Sequence, residues 1–161
     1  MKKLMFAVIA CAMALSGCSS EDDCTTVNPQ PEENATEIKL NAGILGVATR
    51  APVSTNDNIT ASFVASTTDG DYTTNAWNST VTFVASPTPT SALSFSPARY
   101  YPVNSSTIYI KGYYPAGTLA GKSVTFAADG TEDVMITAQA SGTKATATPL
   151  SFIFNHLLTQ L

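Results

Sequence analysis

Apolar and polar residues alternate along most of this 161-residue chain, and this alternation limits its fold more than any other feature. Successive side chains of a β-strand point to opposite faces, so a period of two indicates a strand with one buried face. No stretch of ten or more residues shows the 3.6-residue apolar period of a capped helix, apart from a weak helical tendency in residues 155–161. The alternating segments are 38–44, 59–66, 81–85, 93–95, 108–113, 124–126, 134–138 (Val134, Ile136 and Ala138) and 150–154.

Turn-forming residues separate these segments, and the pattern of short strands predicts an all-β sandwich. Asp69-Gly70-Asp71 is typical of a hairpin turn, and a calcium loop is the weaker alternative because further ligands are not at the usual spacing. The apolar phase changes after Ile44, where Gly43 and Gly46 flank the change, so we expect a β-bulge there.

The amino-terminal residues 1–17 are typical of a signal peptide. Lys2 and Lys3 precede an apolar run, residues 4–15, that is too short to remain as a membrane-spanning helix. The run ends in Leu15-Ser16-Gly17-Cys18, which resembles the lipobox of bacterial lipoproteins. This resemblance implies cleavage between Gly17 and Cys18 and lipidation, with palmitate among the acyl chains, of the Cys18 thiol. An ordinary secretory signal with a coincidental cysteine is the alternative.

Residues 18–36 are acidic and contain almost no large apolar side chain, which predicts a flexible tether before a domain over residues 37–161. The run Ser19–Asp23 resembles the acidic export tag of surface lipoproteins in Bacteroides-type bacteria. It implies a place on the outer face of the outer membrane. A solvated charge run in a tether is the other interpretation, and the two are compatible.

Charge and chemistry exclude several classes of function. Six of the twelve acidic residues lie between positions 21 and 37, so the predicted domain is neutral and offers no basic face for nucleic acid. With one histidine and an unpaired Cys24, we expect no catalytic group, no cofactor, no metal site and no disulfide framework. His156 is predicted to be a core or interface imidazole with one hydrogen bond, and Glu132 and Asp133 a solvated face.

Several motifs in this order resemble the fimbrillin family, the subunits and anchors of fimbriae. Beside the lipobox and its acidic tag they are Val47–Ala51, Tyr100–Pro102, Gly112–Pro115, Gly130–Met135 and Leu150–Leu158. The resemblance implies a Greek-key-like β-sandwich, a fimbrial role and no enzymatic activity. Family members have two domains, so it also implies that residues 37–161 form a first domain truncated at its carboxyl end.

The resemblance also implies a route of assembly. Fimbrillin precursors are cut by an arginine-specific protease after the first strand, and a strand of the next subunit fills the groove that opens. The corresponding cut here would fall between Arg50 and Ala51, although a surface arginine in a turn is an equal alternative. The implied partners are other fimbrial subunits, the outer membrane through the lipid, and a ligand on a host or bacterial surface. The side chains that would leave their pockets are those of Ile38, Leu40, Ala42 and Ile44.

A second hypothesis is a surface lipoprotein that binds glycan on exposed aromatic side chains. Aromatic residues in strands more often pack in the core or across strands. The candidate aromatic residues are Trp77, Tyr100, Tyr101, Tyr113 and Tyr114.

Overall fold

The structure, a computed structural model, describes residues 34–45, 53–117, 119–120, 123–126 and 133–157. Within these ranges the only helical segment is a short 3-10 helix, Lys144–Thr146. The strands are β1 (Lys39–Ile44), β2 (Asn58–Ser66), β3 (Trp77–Val84), β4 (Thr90–Ser94), β5 (Ile108–Tyr114), β6 (Leu119–Ala120), β7 (Ser123–Val124), β8 (Met135–Thr137), β9 (Ala140–Gly142) and β10 (Leu150–His156).

One large sheet holds most of these strands, in the order β3-β2-β5-β8-β10-β1-β4. Strand β9 pairs with β5 beside this path, and β6 and β7 form a separate pair. An isolated bridge between Thr80 and Ser96 brings the chain after β4 back to β3, so the sheet is nearly closed on itself. The predicted all-β fold is confirmed, in a barrel-like or sandwich-like arrangement.

A cluster of phenylalanine rings occupies the centre of the core. The Phe63 ring lies 5.4 Å from Phe95, 5.1 Å from Phe152 and 5.8 Å from Phe154, each time edge to face. Phe83 stacks on Phe154 at 5.5 Å. Such ring pairs stabilise a core beyond the area they bury. The core therefore joins β2 and β3 to the carboxyl-terminal strand β10.

The predicted turn after β2 is present. Gly70 has a φ of +65°, which glycine adopts without steric cost. The Asp71 carboxylate accepts hydrogen bonds from the backbone N–H and the hydroxyl of Thr73 at 2.9 and 2.6 Å, and Asp69 accepts one from Gln139. These contacts are those of a turn in the connection between β2 and β3.

The bulge predicted after Ile44 falls mostly outside the described residues, which end there at Leu45. Up to Ile44, β1 pairs regularly with β10, and a different register shift occurs against β4. Two residues of β4, Ser91 and Ala92, lie opposite the single residue Asn41 of β1. Ala92 has a φ of +57°, and its N–H donates to the Asn41 Oδ1 at 3.2 Å. This bulge in β4 is set by the pairing of the two strands, and the sequence pattern did not predict it.

Two predictions fail near the carboxyl end. Of the predicted inward residues Val134, Ile136 and Ala138, Val134 is buried, but Ile136 is half-buried and Ala138 is exposed. Within β8 the buried residues are Met135 and Thr137, so the predicted face is wrong for the strand itself. The backbone N–H of Gly112 donates to the Thr137 hydroxyl at 2.8 Å, which fixes this orientation. The predicted helical tendency of residues 155–161 is also wrong for residues 155 and 156, because β10 continues through His156.

Candidate functional site

The strand β1 lies inside the sheet although it is the first strand among the described residues. On one side it pairs in parallel with β10, from Leu40 opposite Leu150 to Ile44 opposite Phe154. On the other side it pairs antiparallel with β4. Both neighbours come later in the chain than the connection between β1 and β2. A break in that connection would therefore leave β1 held by non-covalent contacts alone.

The inward side chains of β1 and of the residue before it are fully enclosed, as the alternating pattern predicts. They join the same core cluster as Phe63 and Phe152. A buried leucine or isoleucine side chain contributes roughly 1.5–3 kcal/mol to stability. The exposed fractions are 0% for Ile38, Leu40 and Ala42, and 1% for Ile44.

Pairing continues on the amino-terminal side of β1. The Ile38 N–H donates to the Arg99 carbonyl at 2.8 Å, and the Tyr101 N–H donates to the Thr36 carbonyl at 2.9 Å. The Lys39 ammonium contacts Glu37 at 2.7 Å and donates to the Ser94 hydroxyl at 2.6 Å. The bond with Lys39 lowers the pKa of the Glu37 carboxyl. The paired segment thus begins at Thr36, before the strand itself.

The loop between β3 and β4, residues 85–89, covers the outer face of β1 near its end. The Ile44 N–H donates to the Ser86 carbonyl at 2.9 Å. One residue earlier, Gly43 is buried although it lies on the outer face. An added Cβ at Gly43 would stand 3.0 Å from the Ser86 carbonyl oxygen and 3.1 Å from the Pro89 Cα. The close approach of another backbone therefore favours glycine here, because a side chain would need the loop to give by a few tenths of an ångström.

A family model described as fimbrillin-like matches residues 47–161, which is more than half of the chain. The chain belongs to the fimbrillin-like family. This family consists of structural subunits and not of enzymes, and its members belong to fimbriae at the cell surface. No curated protein and no solved structure matches the chain.

The family match begins at Val47, just after β1 ends, so the buried first strand of this fimbrillin-like chain lies outside it. The predicted cleavage sites at Gly17 and Cys18 and at Arg50 and Ala51 lie outside the described residues. Of the predicted site, the structure therefore brings together Ile38, Leu40, Ala42 and Ile44. Sequence reasoning missed the loop over Gly43, although a glycine inside a strand is itself a signal of close backbone approach.

His156 is half-buried, with its Nδ1 2.6 Å from the Asp133 Oδ1, which confirms the prediction of one hydrogen bond. The prediction of a solvated face at Asp133 is wrong, because Asp133 is only 6% exposed. Glu132 lies outside the described residues. The pair joins the end of β10 to the residues before β8, beside a bond from the Leu157 N–H to the Val134 carbonyl at 2.8 Å. Its role in this fimbrillin-like domain is structural.

The aromatic residues of the glycan hypothesis do not share one exposed face. Tyr101 and Tyr113 are 3% and 7% exposed, and burial raises the pKa of each hydroxyl. Trp77 packs edge to face on Phe95 at 5.2 Å, and the Arg99 guanidinium lies 5.3 Å from its ring. Stacking on a sugar needs an accessible ring face; burial leaves Tyr101 and Tyr113 without one, and Trp77 packs against the core.

No group of three or more His, Cys, Asp or Glu side chains within the described part of the chain could hold a metal ion. Among the same residues, no helix has the length and apolar character needed to cross a bilayer.

Proposed function

We propose that this chain is a subunit or anchor of a cell-surface fimbria that assembles by strand exchange. Its precursor is cut between Gly17 and Cys18, acylated at Cys18 and held to the outer membrane by the lipid. Each buried methylene of such a chain contributes about 0.8 kcal/mol to membrane binding. A second cut, between Arg50 and Ala51, then separates β1 from the rest of the domain.

The position of β1 is the observation that supports this proposal. β1 fills an interior place in the sheet, yet the connection to β2 is its only covalent link to the rest of the domain. Cutting that connection turns an intramolecular contact into one between two molecules, which lowers the effective concentration of the strand. Another strand can then take the place of β1 without changing the order or the connections of the remaining strands.

Release of β1 would leave two rims and a row of empty pockets between them. The backbone groups of β10 and β4 that now pair with β1 would lose their partners, and unpaired backbone groups in an apolar setting are costly. An extended segment of a neighbouring subunit restores these bonds and fills the pockets with alternate side chains. Membership of the fimbrillin-like family supports other fimbrial subunits as the source of that segment. A ligand on a host or bacterial surface would be a partner of the finished fimbria.

The maturation cut can be tested directly on the full chain. We expect an arginine-specific protease to produce a new terminus at Ala51, followed by concentration-dependent fibres in light scattering and electron microscopy. The variant Arg50→Ala should give neither. Arg99 is the chain's other arginine, and its guanidinium donates to the Asn78 carbonyl at 2.6 Å, so Arg99→Lys serves as the matched control and should still be cut and assemble.

Assembly that is equally fast for Arg50→Ala and for the unaltered chain would refute a role for this cut. Absence of the Ala51 terminus would do the same.

Lipidation has its own matched control, because Cys24 follows Cys18 closely in the tether. Labelled palmitate should appear on the chain and on Cys24→Ser, and should be lost in Cys18→Ser. Equal labelling of Cys18→Ser and the unaltered chain would contradict the lipoprotein assignment.

A further inference from the structure

We infer that the groove occupied by β1 selects its replacement strand by a glycine at the register position of Gly43. This inference rests on the proposed function, since it concerns which partner strand the same groove accepts. The required segment has glycine at the position of Gly43 and a small residue at that of Ala42. Its large apolar residues take the positions of Ile38, Leu40 and Ile44.

The first step is the contact at Gly43 itself. The atoms that a Cβ would meet are the Ser86 carbonyl oxygen at 3.0 Å, the Pro89 Cα at 3.1 Å and the Pro89 Cγ at 3.3 Å. Two of the three belong to the backbone, so they cannot turn away as the end of a long side chain can. A branched side chain at this position would require the loop to move.

The second step is that the loop is held by contacts that do not involve β1. The Ala85 N–H donates to the Asp57 carbonyl at 2.7 Å, and the Ala85 carbonyl accepts from the Asn56 N–H at 2.9 Å. Within the loop, the Thr88 N–H donates to the Ser86 hydroxyl at 3.1 Å, and the rings of Pro87 and Pro89 restrict φ. The start of the loop, which includes Ser86, is therefore held by contacts that remain after β1 departs.

The third step concerns the neighbouring positions. On the inner face, Ala42 is fully buried between the larger Leu40 and Ile44, so the groove is narrow on both faces near its end. The residue after the glycine also has a fixed role, because its N–H must donate to the Ser86 carbonyl as that of Ile44 does now. Proline there would leave this carbonyl without its donor.

The experiment uses the full chain, cut by an arginine-specific protease in the presence of labelled peptides copying residues 36–45. One peptide has the natural sequence, a second carries Gly43→Val, and a third carries Leu45→Val as the matched control. Leu45 lies two residues after Gly43 and is 63% exposed. We expect the natural and Leu45→Val peptides to be retained similarly, and the Gly43→Val peptide about tenfold less or weaker still.

Equal retention of the Gly43→Val and natural peptides would overturn the glycine requirement while leaving strand exchange intact. If no peptide is retained although the Ala51 terminus forms, strand exchange fails, and the proposed function fails with it.

A second measurement tests the contact without any cut. Thermal unfolding of the intact chain should show a clear fall in Tm for Gly43→Val and little change for Leu45→Val. Equal Tm values for the two variants would show that the loop does not exclude a side chain at this position, and this result would overturn the inference.

Discussion

The two strands that flank β1 differ in almost every respect. β10 has its inward residues Leu150, Phe152 and Phe154 buried, pairs with β1 without a register shift, and pairs with β8 on its other side. β4 has no buried residue, contains the bulge at Ala92, and among the described strands pairs in a ladder with β1 alone. Beyond β4 the chain returns to β3, through the bridge from Ser96 to Thr80 and through hydrogen bonds that the Ser79 hydroxyl donates to the Pro97 carbonyl and the Arg99 guanidinium donates to the Asn78 carbonyl.

This difference indicates that the two rims of the groove have different roles. β10 belongs to the framework of the domain, because its rings are packed whether or not β1 is present. β4 depends on β1 for its place in the sheet. An incoming strand would therefore meet β10 as a preformed template and would have to reorder β4.

The largest expected effect contrasts one core residue from each flank. Phe154→Ala removes a ring that packs on Phe63 and Phe83, and it should lower the free energy of unfolding by about 3–5 kcal/mol. Leu93→Ala, at a half-buried position of β4, should cost only about 1 kcal/mol. Urea unfolding of both variants measures the two values. Similar losses would mean that β4 is as much a part of the framework as β10.

A smaller effect is expected from the polar contacts of the two flanks. Asp133 is buried with His156, and its second oxygen has no hydrogen-bond partner among the described residues. Asp133→Asn should therefore lower stability by roughly 1–3 kcal/mol. Lys39→Ala breaks the exposed contacts with Glu37 and Ser94 and should cost at most about 1 kcal/mol. Combining Asp133→Asn with His156→Asn in a double-mutant cycle separates the coupling of the pair from the loss of each side chain. A coupling of zero would contradict a link between β8 and β10 through these residues.

Much of this architecture could be predicted because local pattern and burial agree. In β1 and β10 the buried apolar residues occupy alternate positions, and Ile153 of β10 is the one large apolar residue between them, so a single face can be buried. At the start of β8 the consecutive residues Val134, Met135 and Ile136 are all apolar, and no alternation distinguishes the two faces. There the pairing with β5 and β10 decided which side turned inward.

The remaining errors concern contacts between residues far apart in the chain. The burial of Asp133 depends on His156, and the bulge in β4 depends on Asn41 of β1. The glycine at position 43 was interpreted as part of a change of phase, whereas its reason is the loop at Ser86 and Pro89. Long-range pairing of this kind is not encoded in any short window of sequence.

The smallest expected effect is a pH dependence on the β4 side. The hydrogen bond from Lys39 is the main cause that lowers the pKa of Glu37 below its usual 4.5, with smaller help from Ser94, while burial opposes it. A lowered pKa in the folded state means that the charged carboxylate favours folding. Its contribution is therefore complete above the unfolded pKa and is lost as the pH falls through the folded one. Glu37→Gln should then be less stable than the unaltered chain near pH 6 by at most about 1 kcal/mol, and this difference should shrink near pH 3. The stability loss caused by Lys39→Ala should also be smaller near pH 3 than near pH 6, because this variant removes the other half of the contact. Urea unfolding at both pH values provides the comparison, and a difference that does not change with pH would show that the Glu37–Lys39 contact does not stabilise this flank of β1.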